Sequence, residues 1–205
     1  YYRLGAIYLL SQHHQLGIEL NGVVMRPKSD ESKGNLSIQD ANNMYKGISS
    51  STYYSPSDFM NVAFSYNWNF DKQNSNLKLL VNWNHKKMSS DNQLDAIYPE
   101  YANGNVKEDN TNSSNANNWS TTIDFTKNFK TGWSFVSGGR IIASTRNSDF
   151  YSWDRLNKLN DETHWKYKEN IGAAYLGIAK SFSKHWYINL NVRGEYTDVT
   201  GTYPE

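Results

Sequence analysis

The sequence predicts an all-β fold, an antiparallel up-and-down meander of about eight long strands. Three observations predict it: apolar and polar residues alternate with a period of two, most strands run ten residues or more, and short connections alternate strictly with long ones. Strands in soluble proteins average nearer five or six residues, whereas a tilted strand crossing a bilayer needs about 9–11. The combination is that of a segment of a large transmembrane β-barrel.

The strands fall at 3–10, 15–24, 59–70, 77–88, 118–128, 133–145, 165–180 and 186–199. In the third, Val62, Phe64, Tyr66, Trp68 and Phe70 oppose Asn61, Ala63, Ser65, Asn67 and Asn69. In the fourth, Leu79, Val81 and Trp83 oppose Lys78, Asn82 and Asn84; in the fifth, Ile123 and Phe125 oppose Thr122 and Asp124. In the last, Ile188, Leu190, Val192 and Tyr196 oppose Asn189, Asn191, Arg193 and Glu195. Gly138, Gly139 and Gly172 loosen the sixth and seventh strands, where bulges are expected. The predicted lipid-facing stripe is Phe64, Trp68, Val81, Trp83, Ile123, Phe125, Ile188, Leu190 and Val192.

Residues 11–14, 71–76, 129–132 and 181–185 form short turns, and 25–58, 89–117 and 146–164 form long polar loops. An up-and-down barrel sorts its connections in this way, with short periplasmic turns and long extracellular loops. Phe70, Phe129, Trp133, Phe182 and Trp186 flank the short turns as an interfacial girdle would. Eight strands put both ends of the sequence on the long-loop side, which suggests residues 1–205 are part of one barrel domain cut from a longer protein.

Composition narrows the function. Aromatics make up 15% of a chain whose mean hydropathy is only −0.78, which fits a lectin-like surface, a β-rich core or the interfacial girdles of a membrane barrel. With no cysteine, disulfides and thiol chemistry are excluded. A net charge of +1 without a clustered basic face argues against nucleic acid. The histidines His13, His14, His85, His164 and His185 are scattered, and read as solvated. Asp91, Asn92 and Asp95 offer oxygen ligands but lack the glycine and closing glutamate of a calcium loop. No serine sits in a G-x-S-x-G turn and Gly138-Gly139 is not followed by a helix as a phosphate loop would be; the barrel reading expects neither an enzyme activity nor a cofactor. The best ligand candidates are Tyr98, Tyr101, Tyr151 and Trp153, aromatics among polar loop residues; the bland reading is that they pack the loops together.

One stretch carries a resemblance. Tyr167, Glu169, Ile171, Ala173, Ala174 and Tyr175 are followed by Lys180, Phe182 and Trp186, then by Arg193, Glu195 and Thr197. This resembles the barrel of TonB-dependent receptors of the Bacteroidetes type, with Asn191 standing where that pattern has glycine. The resemblance implies a Gram-negative outer-membrane protein embedded in lipid. It implies a barrel of about 22 strands around a plug domain, a periplasmic TonB-type energy-coupling protein, a surface lipoprotein partner and import of a bulky nutrient. Siderophore, glycan and peptide remain open as the nutrient class. Arg193 and Glu195 would face the lumen. Two other readings stand beside it: a complete small outer-membrane barrel, adhesin or membrane enzyme, in which the first and last strands pair; and a soluble glycan-binding β-sandwich, in which the apolar faces are buried between two sheets.

Overall fold

The computed structural model describes residues 1–40, 43–182 and 186–203. It is one open antiparallel sheet of ten strands. These are β1 (Tyr2–Leu9), β2 (His14–Met25), β3 (Asp30–Gln39), β4 (Met44–Tyr54), β5 (Ser57–Asn69), β6 (Asn76–Ile97), β7 (Val106–Asn128), β8 (Trp133–Asp154), β9 (Leu159–Ser181) and β10 (Tyr187–Thr202). The main path runs β1-β2-β5-β6-β7-β8-β9-β10, and β4 joins it by pairing with β3 on one side and β6 on the other.

The three predicted long loops are corrected. Residues 89–117 and 146–164 are almost wholly strand, because β6 to β9 each run 22 or 23 residues and turn only at their tips. Segment 25–58 is likewise a hairpin, β3–β4, standing on top of β2–β5. The count of eight survives as eight traverses, since prolines interrupt two of them. Pro56 cannot donate to the ladder, and it separates β4 from β5 without changing their register on β6: Tyr54 faces Asp91 and Ser57 faces Met88. Continuity is kept there by Ser89 N, which donates to Pro56 O at 3.1 Å, and by Ser55 Oγ, which donates to Ser89 O at 3.1 Å. Across the sheet, Met25 faces Ser57 and Asp30 faces Tyr53, so residues 26–29 oppose 54–56 with one residue extra. That is a bulge, and Pro27 lies in it. The bulges expected at Gly138, Gly139 and Gly172 are absent, because the β7–β8–β9 ladder runs unbroken through them.

The short turns are as predicted, with the fourth partly beyond view: Ser183, Lys184 and His185 lie outside the described residues. In the third, Phe129 N donates to Trp133 O at 2.9 Å, and Gly132 closes the turn at φ +79°, a conformation that favours glycine. In the second, Asp71 Oδ1 accepts from Gln73 N (2.9 Å) and Ser75 N (3.0 Å), while Oδ2 accepts from Lys127 Nζ at 2.6 Å. Ser75, fully buried, accepts from Asn128 N at 2.9 Å and ties this turn to β7.

The Lys127 ammonium, with help from Ser75 and Gln73, holds the Asp71 carboxyl well below the usual carboxylate range. A carboxylate depressed in the folded state stabilises fully above its unfolded value near pH 4, and that stability is lost as pH falls below it. Wild type should therefore lose thermal stability in micelles between about pH 5 and pH 3, and Asp71→Asn should start less stable and lose less over that window. Equal pH slopes for the two proteins would remove this turn from the account.

The turns also fix the tilt of the strands. One hydrogen-bonded row links Leu9, Gln15, Asn67, Lys78, Asp124, Gly138, Tyr175 and Arg193. The first turn begins on that row; the later ones begin at Asn69–Asn76, Asn128–Ser134 and Ser181–Tyr187, two, four and six residues below it. The stagger is one residue per strand. At roughly 3.3 Å per residue and 4.8 Å between strands, the strands tilt by about 35°. Membrane barrels tilt by about 35–45°.

Candidate functional site

Cross-strand registers put all nine residues of the predicted lipid stripe on one face of the sheet. Nothing covers that face: Ile141, Val192 and Tyr196 are 67%, 67% and 71% exposed. Among the described residues the buried hydrophobics are only Ala96, Tyr98 and Ala179. A sandwich core would bury the stripe between two sheets, and there is one sheet.

The apolar face has a level upper limit once the stagger is followed. Arg26, Asp58, Lys87, Asn117, Thr145, Asn170 and Asp198 each stand eleven residues from the last paired residue at their short turn, on the apolar face's parity. Below that polar ring the face is apolar or glycine on every strand except at His85, Thr121 and Ser137 and, beside the turns, at His14 and two lysines. Eleven residues at roughly 3.3 Å, tilted by about 35°, rise about 30 Å, the thickness of a bilayer's hydrocarbon core.

Aromatics mark both limits. At the turn side, His14 stacks on Trp68 (5.5 Å), Trp68 meets Phe70 (5.3 Å), Phe70 stacks on Phe125 (5.6 Å), and Phe125 meets Phe135 edge-on (6.3 Å). The two lysines sit in this belt: Lys127 Nζ lies 5.3 Å from the Phe70 ring centre, and Lys180 Nζ 5.1 Å from that of Trp133. Each directs its ammonium to a turn, Lys127 to Asp71 and Lys180 to the Thr131 carbonyl, keeping the charge at the interface while the stem crosses apolar surface. Toward the other limit, two and four residues below the polar ring, Trp119 and Trp83 pair at 6.0 Å.

The opposite face is polar. Asn118 donates to Asn84 at 2.8 Å; Arg3 pairs with Glu19 at 2.9 Å and Arg193 with Glu195 at 2.6 Å; the Tyr175 hydroxyl donates to Asp124. Tyr175 can lie flat there because Gly138 has no side chain; a Cβ at Gly138 would stand 2.4 Å from the hydroxyl and 2.5 Å from the Ile123 carbonyl.

Beyond the polar ring, β6 to β9 continue for about another eleven residues with polar side chains on both faces. Arg155, in the tip between β8 and β9, reaches across β7 to Asp95 on β6 and lies 3.1 Å from Asp109. Asp95 is thus held by an arginine, and Asn92 is on the other face from Asp91. Among the described residues no group of three or more His, Asp and Glu is arranged to hold a metal ion.

The predicted ligand residues are not brought together as one site. Tyr98 is 7% exposed, with its ring against Gly47 and its N–H donating to Asn105 Oδ1 at 2.6 Å. Tyr101 stacks on Tyr45 at 4.7 Å. Both pack the β6–β7 tip against β4, which is the bland reading. Tyr151 and Trp153 lie on β8, on the parity of the apolar face and away from the polar face. Phe150, Trp165 and Tyr167, which are not among the predicted ligand residues, are the aromatics that β6 to β9 place on the polar face of the extension. The signal was available: the alternation that divides β8 and β9 below the ring also divides them above it.

A tilted sheet with one apolar face of bilayer height, aromatic limits and a polar reverse defines a wall of a membrane β-barrel. The chain belongs to the outer membrane protein beta-barrel family, whose profile matches residues 68–205, and its place is the outer membrane. None of the curated proteins matches it. Among solved structures, a lipopolysaccharide binding protein aligns over 99% of this chain and 77% of its own at 5% identity, with a TM-score of 0.15, a likeness too weak to decide anything.

Proposed function

We propose that the chain forms part of the wall of a TonB-dependent receptor that imports a bulky nutrient across the outer membrane. The observation that carries this reading is the open sheet. Among the described residues, β1 pairs only with β2 and β10 only with β9, although both outer strands lie within the apolar band. Each unpaired backbone group in hydrocarbon costs several kcal/mol, and in this reading further strands flank both edges in a larger barrel. The polar face of Asn, Ser, Thr and Gly suits a wide, wet lumen around a plug domain. The tall extension is the part a nutrient, or a surface lipoprotein, would meet first. Energy would come from a periplasmic TonB-type coupling protein, and the chain itself would perform no chemical step. Outer-membrane lipid is the partner of the apolar face.

A photo-crosslinking residue at Arg193 should capture a plug domain, and one at Val192 should capture lipid. Lipid capture at both would contradict the reading. The complete small barrel is tested by Leu4→Cys with Val192→Cys, both five residues from their turns and at one depth. The wall reading predicts no disulfide between them.

A further inference from the structure

We propose that the polar face of the extension binds an anionic oligosaccharide through Phe150, Trp165, Tyr167 and Arg146. The proposal rests on the reading of this face as the import path. On β9, Asn170 belongs to the polar ring, and Tyr167 and Trp165 lie three and five residues beyond it, clear of the bilayer. Their odd numbers put them on the face of Ala173 and Tyr175, while Lys166 and Lys168 point the other way. The Trp165 and Tyr167 rings lie nearly parallel, 24° apart with centres at 5.6 Å. Phe150, 40% exposed, is diagonal to Trp165, since Phe150 faces Thr163 and Ser148 faces Trp165. Phe150 thus continues the stacked Trp165–Tyr167 pair up the same face.

The surroundings suit sugar rather than an apolar ligand. Ser144, Ser148, Asn112 and Thr163 share the face and supply hydroxyl and amide partners. A run of one exposed and two half-buried rings among polar side chains matches successive sugar faces. The floor is open toward β10: the space above Gly201 holds only Trp165 Nε1, 3.9 Å from where a Cβ would stand. That indole N–H makes no hydrogen bond among the described residues and is free to donate to a ligand hydroxyl.

Charge selects an anion. Arg146 stands directly opposite Tyr167, is exposed, and has no carboxylate partner among the described residues. Lys86 lies on the same row, across Ala116. The nearest acid on the face is Glu169, diagonal to Arg146. An aromatic shelf edged by a free guanidinium fits a saccharide bearing carboxylate or sulfate.

The test is calorimetric titration of the full-length protein in nanodiscs with oligogalacturonate, dextran sulfate fragments and neutral cello-oligosaccharide. At least one anionic probe should bind more tightly than the neutral one, with affinity falling as salt rises. Trp165→Ala should weaken it about tenfold, Trp165→Phe should restore most of it, and Arg146→Gln should weaken anionic binding while leaving the neutral probe unchanged. Variants are confirmed as folded by heat-modifiable gel mobility. Failure of both anionic probes, or affinity unmoved by Trp165→Ala and Arg146→Gln, would overturn the proposal. Binding without plug capture at Arg193 would sink the import reading and leave the sugar site standing; plug capture without binding would do the reverse.

Discussion

Val81→Arg should cost the folded protein about 2–4 kcal/mol in a bilayer, while Asn82→Arg, one residue along the same strand, should cost far less. Val81 is on β6, flanked by Phe64 on β5 and Thr121 on β7, with its side chain on the apolar face five residues from the turn. That is mid-band, where an arginine can neither reach an interface nor find a partner. Asn82 faces the polar side, between Ala63 and Ser120. The penalty should also depend on depth: Ile188→Arg, one residue from its turn and beside the aromatic belt, should cost only about 0–1 kcal/mol. Urea titrations of the protein folded in lipid vesicles measure all three. Equal losses at Val81 and Asn82 would mean the faces are wrongly assigned.

Gly138→Ala is the second large effect. The added methyl would meet the Ile123 carbonyl at 2.5 Å and the Tyr175 hydroxyl at 2.4 Å. A backbone oxygen has no rotamer to escape to, so the β7–β8 ladder must give or Tyr175 must leave Asp124. Overpacking of this kind costs about 1–3 kcal/mol. Gly172→Ala, on the apolar face with nothing within 4 Å of the new carbon, should be near neutral. The same titrations compare them. A neutral Gly138→Ala would show that the Tyr175–Gly138 contact does not constrain the wall.

These glycines show where the sequence was legible and where it was not. Below the polar ring, apolar residues recur every second position because one face meets lipid, so strands such as 77–88 and 186–199 and their faces could be read directly. Above the ring both faces are wet. A run such as Ser89-Ser90-Asp91-Asn92-Gln93 carries no apolar alternation, only backbone pairing, and reads as loop. Gly138 looked like a bulge because the reason for it is Tyr175, on the next strand, 37 residues on and opposite only in register. The actual bulge at 26–29 was hidden because Pro27 read as a loop residue. Tyr98 and Tyr101 drew attention as aromatics among polar neighbours, and that is also how aromatics that pack a hairpin tip look. The stagger of the turns is a property of pairing alone, so the tilt had no linear signal.

The most direct test of the account is the depth of single spin labels along β6 and β10, read by oxygen and nickel-chelate accessibility in lipid. Hydrogen bonding carries Val81 through Thr121, Ile141 and Gly172 to Tyr196. A tilt of about 35° instead places Val81 level with Val192, four residues lower on β10. Greatest depth at Val81 and Val192, with Tyr196 near the interface, is the predicted result. Greatest depth at Tyr196, or equal exposure to water along both strands, would contradict a staggered wall in the membrane.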